Sequence, residues 1–339
     1  VENISQRNYH NLTEAVFSLK RGDFIAFEGL AIELFNLQFK YNPVYRQFVN
    51  ALKVNAADVK TVNQIPFLPI ELFKSQKIVT DTGADTNAVV FTSSGTSQTG
   101  TSSHYVNDLD LYEQSFLKAF ELFYHKPSDY CFLALLPSYL ERKGSSLVYM
   151  AQKLIELSNT AQSNFYLDNL DELVKTISVL KEQKKKVFLL GVSYALLDLA
   201  DKGITLNENF TVMETGGMKG RREELIKSEL HKILKEKLCV AQIHSEYGMT
   251  ELLSQAYAKR DGIFESPPWM KILVRDTNDP FQYLADGKTG GINVIDFANI
   301  NSCCFVAAQD LGKKYANGTF ELMGRFDNSD IRGCNLLVN

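Results

Sequence analysis

The stretch Thr92-Ser93-Ser94-Gly95-Thr96-Ser97-Gln98-Thr99-Gly100-Thr101-Ser102-Ser103-His104 is the densest concentration of hydroxyls and small residues in the chain. Gly95 and Gly100 let the backbone come close to an anion and adopt positive φ where the path requires it. Successive amides in such a loop form a nest for phosphate, and the hydroxyls add donors. No Gly-Lys-Ser/Thr closes the stretch, so it is not a Walker A loop. Taken alone, the same composition also describes a surface loop rich in turn formers. A second segment, Tyr247-Gly248-Met249-Thr250-Glu251, offers a ring that can stack on a base, a glycine for close approach, a hydroxyl and a carboxylate. Glu251 suits Mg²⁺, which takes oxygen ligands and commonly bridges substrate phosphates. An ordinary strand-to-helix turn capped by Thr250 has the same local pattern.

Two shorter stretches matter by association. Gly216-Gly217, after Glu214-Thr215, makes another turn open to close approach. Asp310-Leu311-Gly312 and Gly324-Arg325-Phe326-Asp327 supply a carboxylate and a guanidinium able to grip a ribose diol. They are equally readable as turn residues or as a surface ion pair of small energetic weight. His104 and His244 are the histidines nearest these segments; each can orient a substrate, act as a base or serve as a satisfied structural group.

These segments need a scaffold, and hydrophobic periodicity supplies one. From residue 88 onward strand and helix patterns alternate. Strands are expected at Ala88–Phe91, Tyr130–Leu136, Val187–Leu190, Phe210–Met213 and Cys239–Ile243, with amphipathic helices between them, the first over Val106–His125. This order predicts a largely parallel sheet covered by helices, with ligands at the carboxyl ends of the strands. Residues 1–87 read as a helical lead rich in aromatics (Phe24, Phe27, Phe35, Phe39, Phe48), a layer docked on the main body or the lining of an apolar substrate tunnel. Residues 255–339 read as a smaller β-rich segment, with short strands at Trp269–Val274, Gly291–Phe297, Cys304–Ala307 and Gly318–Met323. The whole is expected to form one domain, with residues 88–254 as the α/β core.

Composition narrows the classes. The 339 residues carry a net charge of -4, which gives no basic field for nucleic acid. Five cysteines without a CxxC motif favour a reduced, cytoplasmic setting. No apolar run approaches the roughly 20 residues needed to span a bilayer, and the first residues carry no signal-peptide core. The Lys184–Lys186 cluster reads as a solvated helix end.

The order of the motifs resembles the adenylate-forming superfamily, which includes acyl-CoA synthetases. Within it the chain is most similar to the acyl-protein synthetases of the LuxE family, the long-chain fatty acid–protein ligases of bacterial luminescence operons and their non-luminous relatives. Ile65-Pro66-Phe67-Leu68-Pro69, Phe91–His104, Leu136-Pro137-Ser138-Tyr139, His244–Glu251 and Gly324–Leu337 carry the closer likeness. The resemblance implies the fold of the large N-terminal domain of those enzymes, and it implies roles for particular residues. Ser93, Ser94, Gly95, Thr96 and Ser97 would wrap the β- and γ-phosphates of ATP. Gly216 and Gly217 would flank the adenine, with Tyr247 and Gly248 beside it. Thr250 and Glu251 would meet the α-phosphate and Mg²⁺, and Asp310 the ribose hydroxyls, with Arg325 close by.

Superfamily members typically continue into a small mobile domain bearing a catalytic lysine, which this sequence is expected to lack; Mg²⁺ and Arg325 would then offset charge on the α-phosphate. The resembled family holds its acyl group on a cysteine near the carboxyl terminus, and Cys334 stands at the matching place, with Arg332 near enough in sequence to favour the thiolate. The expected reaction is activation of a carboxylic acid, foremost a fatty acid, as acyl-AMP, then transfer to Cys334 and on to an acyl-accepting reductase or carrier protein. Ligation to coenzyme A or a carrier-protein thiol without an acyl-enzyme is the alternative among enzymes. A nucleotide-binding regulatory or acyl-transfer subunit that does not adenylate is the alternative from another class.

Overall fold

The computed structural model describes residues 6–82, 88–93, 100–136, 144–166, 169–216, 222 and 225–326. The chain divides into two compact units, Val1–Ala84 with Pro268–Asn339, and Asp85–Pro267. The expected helical lead and β-rich segment therefore belong to one unit, and the α/β core to the other.

In the first unit, helices α1 (Gln6–Ser18), α2 (Phe24–Tyr41) and α3 (Pro43–Ala51) accompany strand β1 (Leu68–Pro69). Asn42 sets the break between α2 and α3. Its backbone amide caps α2, its side chain accepts from Tyr45 N, and Pro43 occupies the first turn of α3, where a missing N–H costs nothing. Strands β10 (Met270–Arg275), β11 (Thr289–Asp296), β12 (Phe305–Lys314) and β13 (Phe320–Arg325) form an antiparallel run, and β1 joins β12 in parallel. The helices dock on this sheet's own unit. Buried Gln38 donates to the carbonyls of Asn299 (3.0 Å) and Ile300 (3.2 Å) and accepts from Cys304 N (2.9 Å). Phe27 packs on Phe297 at 4.5 Å between ring centroids. Phe24, by contrast, is 73% exposed.

In the second unit, β2 (Val89–Thr92) and β3 (Ser103–Val106) form an antiparallel hairpin. Beyond it stands a six-stranded sheet: β4 (Cys131–Leu135), β5 (Asn164–Phe165), β6 (Val187–Val192), β7 (Phe210–Thr215), β8 (His244–Tyr247) and β9 (Ala256–Ala258). The order is β5-β4-β6-β7-β8-β9, with every pairing parallel except β8 with β9. Helices α4 (Leu109–Tyr124), α5 (Ser146–Ser158), α6 (Leu170–Glu182), α7 (Ser193–Ala200) and α8 (Lys227–Leu238) connect these strands. Every residue of β4 and β6 is buried, which requires cover on both faces and explains their continuous apolar sequence. Phe120 and Phe188 (5.2 Å) and Phe132 and Phe188 (5.3 Å) anchor that packing. The α/β, largely parallel architecture expected from the alternating pattern is the one observed.

Two local expectations are corrected. The segment read as loop up to His104 already contains β3, and the helix that follows starts at Leu109, capped by Asp108, whose side chain accepts from Leu111 N. Val106, read as helical, ends the strand. The strand expected at Cys239–Ile243 lies at His244–Tyr247. Cys239 is instead the left-handed residue (φ 56°) that closes α8, a position more often taken by glycine. Lys184–Lys186 is exposed, as expected of a solvated helix end.

Candidate functional site

The chemistry-bearing segments of the second unit gather at strand ends. Ser93 and Ser102 close the neck of the hydroxyl-rich loop. Ser93 N donates to the Ser102 carbonyl at 3.1 Å, and Ser102 N donates back to Ser93 Oγ at 2.9 Å. Ser93 Oγ thus helps to hold the loop's base as an acceptor, and its O–H can still donate. Gly100 has φ +91°, a conformation that a side chain would strain. Ser94, Gly95, Thr96 and Ser97 lie outside the described residues.

From β3, buried His104 reaches the second segment: its Nδ1 donates to the Thr250 carbonyl at 2.7 Å. A carbonyl can only accept, so Nδ1 carries the proton. Burial pushes the His104 pKa down to about 4 against the opposing effect of this bond, and the ring is neutral at physiological pH. Hairpin and Tyr247–Glu251 turn are therefore joined directly. Tyr247 and Glu251 are both buried. The Tyr247 ring meets Phe264 edge-on at 6.1 Å. Gln255, whose side chain packs against Gly248, is buried, and its Oε1 has no hydrogen-bond partner among the described residues. His244 forms a hydrogen bond with Tyr124 Oη at 3.1 Å; burial first, then Lys259 and His231, lower its pKa to about 4.

Gly216 follows β7 with φ +73°; Gly217 lies outside the described residues. Beneath this turn is a polar cluster that no local sequence signal announces. Glu214 pairs in register with Ser245 of β8, and Ser245 Oγ donates to Glu214 Oε1 at 2.6 Å. Lys227, at the start of α8, forms an ion pair with the same carboxylate, and His231 lies 3.4 Å from it. Ser193 Oγ donates to Glu214 Oε2 at 3.3 Å. Burial alone would raise the Glu214 pKa, but Lys227, His231 and Ser245 overcome it and hold the group at about 2. The next residues along, Thr215 and Glu246, point to the opposite face by strand alternation, where Thr215 Oγ1 donates to Glu246 Oε2 at 2.5 Å. Burial raises the Glu246 pKa to about 7; the Thr215 bond opposes this, Glu214 adds to it and Lys227 works against it.

Asp310 and Arg325 belong to the first unit. They face each other across β12 and β13, and Arg325 Nε donates to Asp310 Oδ1 at 3.1 Å. Phe326 N donates to the Gln309 carbonyl at 2.8 Å. Cys334 and Arg332 lie outside the described residues. No group of three or more His, Cys, Asp or Glu side chains able to hold a metal ion occurs among the described residues. A single carboxylate such as Glu251 would suit Mg²⁺ held chiefly by phosphates and water, and would not suit a cation caged by protein alone. No helix among the described residues is long and apolar enough to cross a membrane.

Comparison with known proteins shows the family and the fold. The long-chain-fatty-acid–luciferin-component ligase of Aliivibrio fischeri is 23% identical over 337 residues, covering 91% of this chain and 86% of that protein. Among solved structures, an open conformation of 2-hydroxyisobutyryl-CoA ligase in complex with 2-HIB-AMP and CoA superposes with a TM-score of 0.66 at 12% identity, covering 89% of this chain and 70% of that one. ATP-bound MatB from Rhodopseudomonas palustris gives a TM-score of 0.52 at 15% identity, covering 70% of this chain and 47% of its own; the chain thus spans about half the length of MatB. At such identities the structural likeness speaks for the fold alone. Residues 25–339 match the acyl-protein synthetase family, and the chain therefore belongs to that family, LuxE.

Proposed function

We propose that this protein activates a carboxylic acid, a fatty acid in the first instance, with ATP and passes the acyl group to Cys334. The observation that carries the reading is the bond between His104 and Thr250, which holds the hydroxyl-rich hairpin against the Tyr247–Glu251 turn. Family membership and the name of the luminescence relative support the fatty acid.

In the first step a carboxylate oxygen of the acid attacks the α-phosphorus of ATP and pyrophosphate leaves, giving acyl-AMP. Donors of the Thr92–Gly100 loop stabilise the charge that develops on the phosphates, where preorganised dipoles count most. Gly216 and Gly217 leave room for the base, with Tyr247 and Gly248 beside it. Thr250 contacts the α-phosphate, and Glu251 would hold Mg²⁺, which supplies neutralising charge to the phosphate oxygens. In the second step the Cys334 thiolate attacks the acyl carbonyl and AMP leaves, giving a thioester. The acyl group then moves to a partner such as a reductase or carrier protein.

The test is ATP–pyrophosphate exchange across acids of increasing length, joined to intact-mass measurement after incubation with ATP and the best acid. A hydroxylamine-labile mass increase that Cys334→Ser abolishes is the expected result. Exchange without that adduct replaces the acyl-enzyme with direct ligation to coenzyme A or a carrier thiol. If no acid supports exchange, adenylation itself is wrong.

A further inference from the structure

Thr215 and Glu246 stand at the carboxyl ends of neighbouring parallel strands, joined by the hydrogen bond from Thr215 Oγ1 to Glu246 Oε2. The other carboxyl oxygen faces the following turn: a Cβ placed on Gly248 would collide with Glu246 Oε1. One side chain therefore spans from the turn after β7 to the turn after β8. Its flanking residues Ser245 and Tyr247 are buried, whereas Glu246 is only partly so.

We propose that Glu246 is a positioning residue: its carboxyl ties the Thr215–Gly216 turn to the Tyr247–Gly248 turn, and the charge it carries sets how tightly those turns hold a polyanionic nucleotide. This rests on the nucleotide reading above.

Four titratable groups act on Glu246 or are acted on by it: Glu214 of β7, Lys227 at the start of α8, and the phenols of Tyr112 on α4 and Tyr257 on β9. Lys227 is already committed to Glu214, its ion-pair partner on the other face of the sheet. Both phenols are pushed above their ordinary range, chiefly by burial, and stay neutral. Around neutral pH, then, Glu246 is the group of this set that changes charge. As the neutral acid it still offers an oxygen to the Thr215 hydroxyl. As the carboxylate it keeps that bond but sets a full negative charge beside the turns assigned to ATP. Affinity for the nucleotide should therefore fall as pH rises through about 7.

The decisive measurement is equilibrium binding of a fluorescent ATP analogue, in excess Mg²⁺, between about pH 6 and about pH 8.5. Wild type is compared with Glu246→Gln and Glu246→Ala, and KM for ATP and kcat of pyrophosphate exchange are followed in parallel. Wild-type Kd should weaken on the order of tenfold across this range, with KM following and kcat nearly level. Glu246→Gln, isosteric and uncharged, should bind at every pH as wild type does at the acid end. Glu246→Ala, without the tie, should bind weakly at every pH. A Glu246→Gln profile that keeps the wild-type slope overturns the inference, as does a wild-type Kd independent of pH. If wild type binds no nucleotide at any pH, the nucleotide reading fails and this one with it.

Discussion

His104 Nδ1 donates to the main-chain carbonyl of Thr250 across 2.7 Å, joining segments 146 residues apart in the chain. A buried imidazole used in this way acts as a spacer of fixed polarity. Replacing it by alanine removes the donor and leaves a carbonyl without it, at a cost of about 1–3 kcal/mol. KM for ATP in pyrophosphate exchange should rise about tenfold, because a loss of about 1.4 kcal/mol in the nucleotide complex corresponds to that factor. His104→Asn, which keeps a donor, should lose less. The depressed His104 pKa also fixes a sign. Its contribution to stability is complete above the ordinary histidine value and is lost as pH falls toward about 4. Chemical denaturation as a function of pH should show that loss in wild type and a flatter profile in His104→Asn.

Glu214 makes the second prediction. The carboxylate is 1% exposed and Lys227 28%, so the pair is largely withdrawn from water. Glu214→Gln leaves Lys227 and His231 without their shared anion and should destabilise the protein by about 3 kcal/mol, the lower end for a broken buried pair. With its pKa held at about 2, Glu214 contributes stability that is present above the ordinary carboxylate range and is lost as pH falls toward that value. The gap between wild type and Glu214→Gln in urea titrations should therefore be widest near neutrality and close in acid. A gap that persists unchanged in acid would remove the ion pair as its cause.

Gly248→Ala is the third. The new methyl would strike Glu246 Oε1 and stand 3.3 Å from Gln255 Cγ. The end of a glutamate side chain can swing aside, so the fold should survive with a loss of about 1–2 kcal/mol. The swing breaks the Thr215–Glu246 bond, however, and nucleotide binding should weaken more than stability does. Calorimetric titration of ATP alongside a thermal melt separates the two. Equal losses in both would show that the methyl merely crowds the core.

What the sequence revealed was whatever depends on neighbours in the chain. The hydroxyl-rich loop, the Tyr247–Glu251 turn and the Gly216 turn are local compositions, and each falls at the end of a strand. The alternation of strands and helices likewise disclosed the parallel sheet. The Glu214 cluster and the Thr215–Glu246 tie stayed hidden because they depend on the register of β7 against β8, which brings together residues 31 positions apart. Lys227 and His231 join that cluster only because α8 turns them toward Glu214. Strand β3 was missed because His104 and Val106, its buried positions, alternate with residues that continue the polar run of the loop. Asp310 and Arg325 lie in two short motifs that read equally as a ribose grip, as turn residues or as a surface ion pair; the register of β12 against β13 sets them opposite each other and makes the ion pair.

That last pairing yields a prediction that separates stability from ligand binding. The Arg325 side chain is 76% exposed, so its bond to Asp310 is screened by water and is worth under about 1 kcal/mol. Arg325→Ala should therefore shift the thermal melting point only slightly, and high salt should erase even that difference. If Arg325 also offsets charge on the α-phosphate, the same variant should lower kcat for pyrophosphate exchange by roughly tenfold or more, a loss of at least about 1.4 kcal/mol in the transition state. Arg325→Lys, which keeps the charge but not the planar fork, should fall between the two. A kcat unchanged in Arg325→Ala would confine the residue to its exposed pair with Asp310 and leave charge compensation to Mg²⁺ and the loop amides.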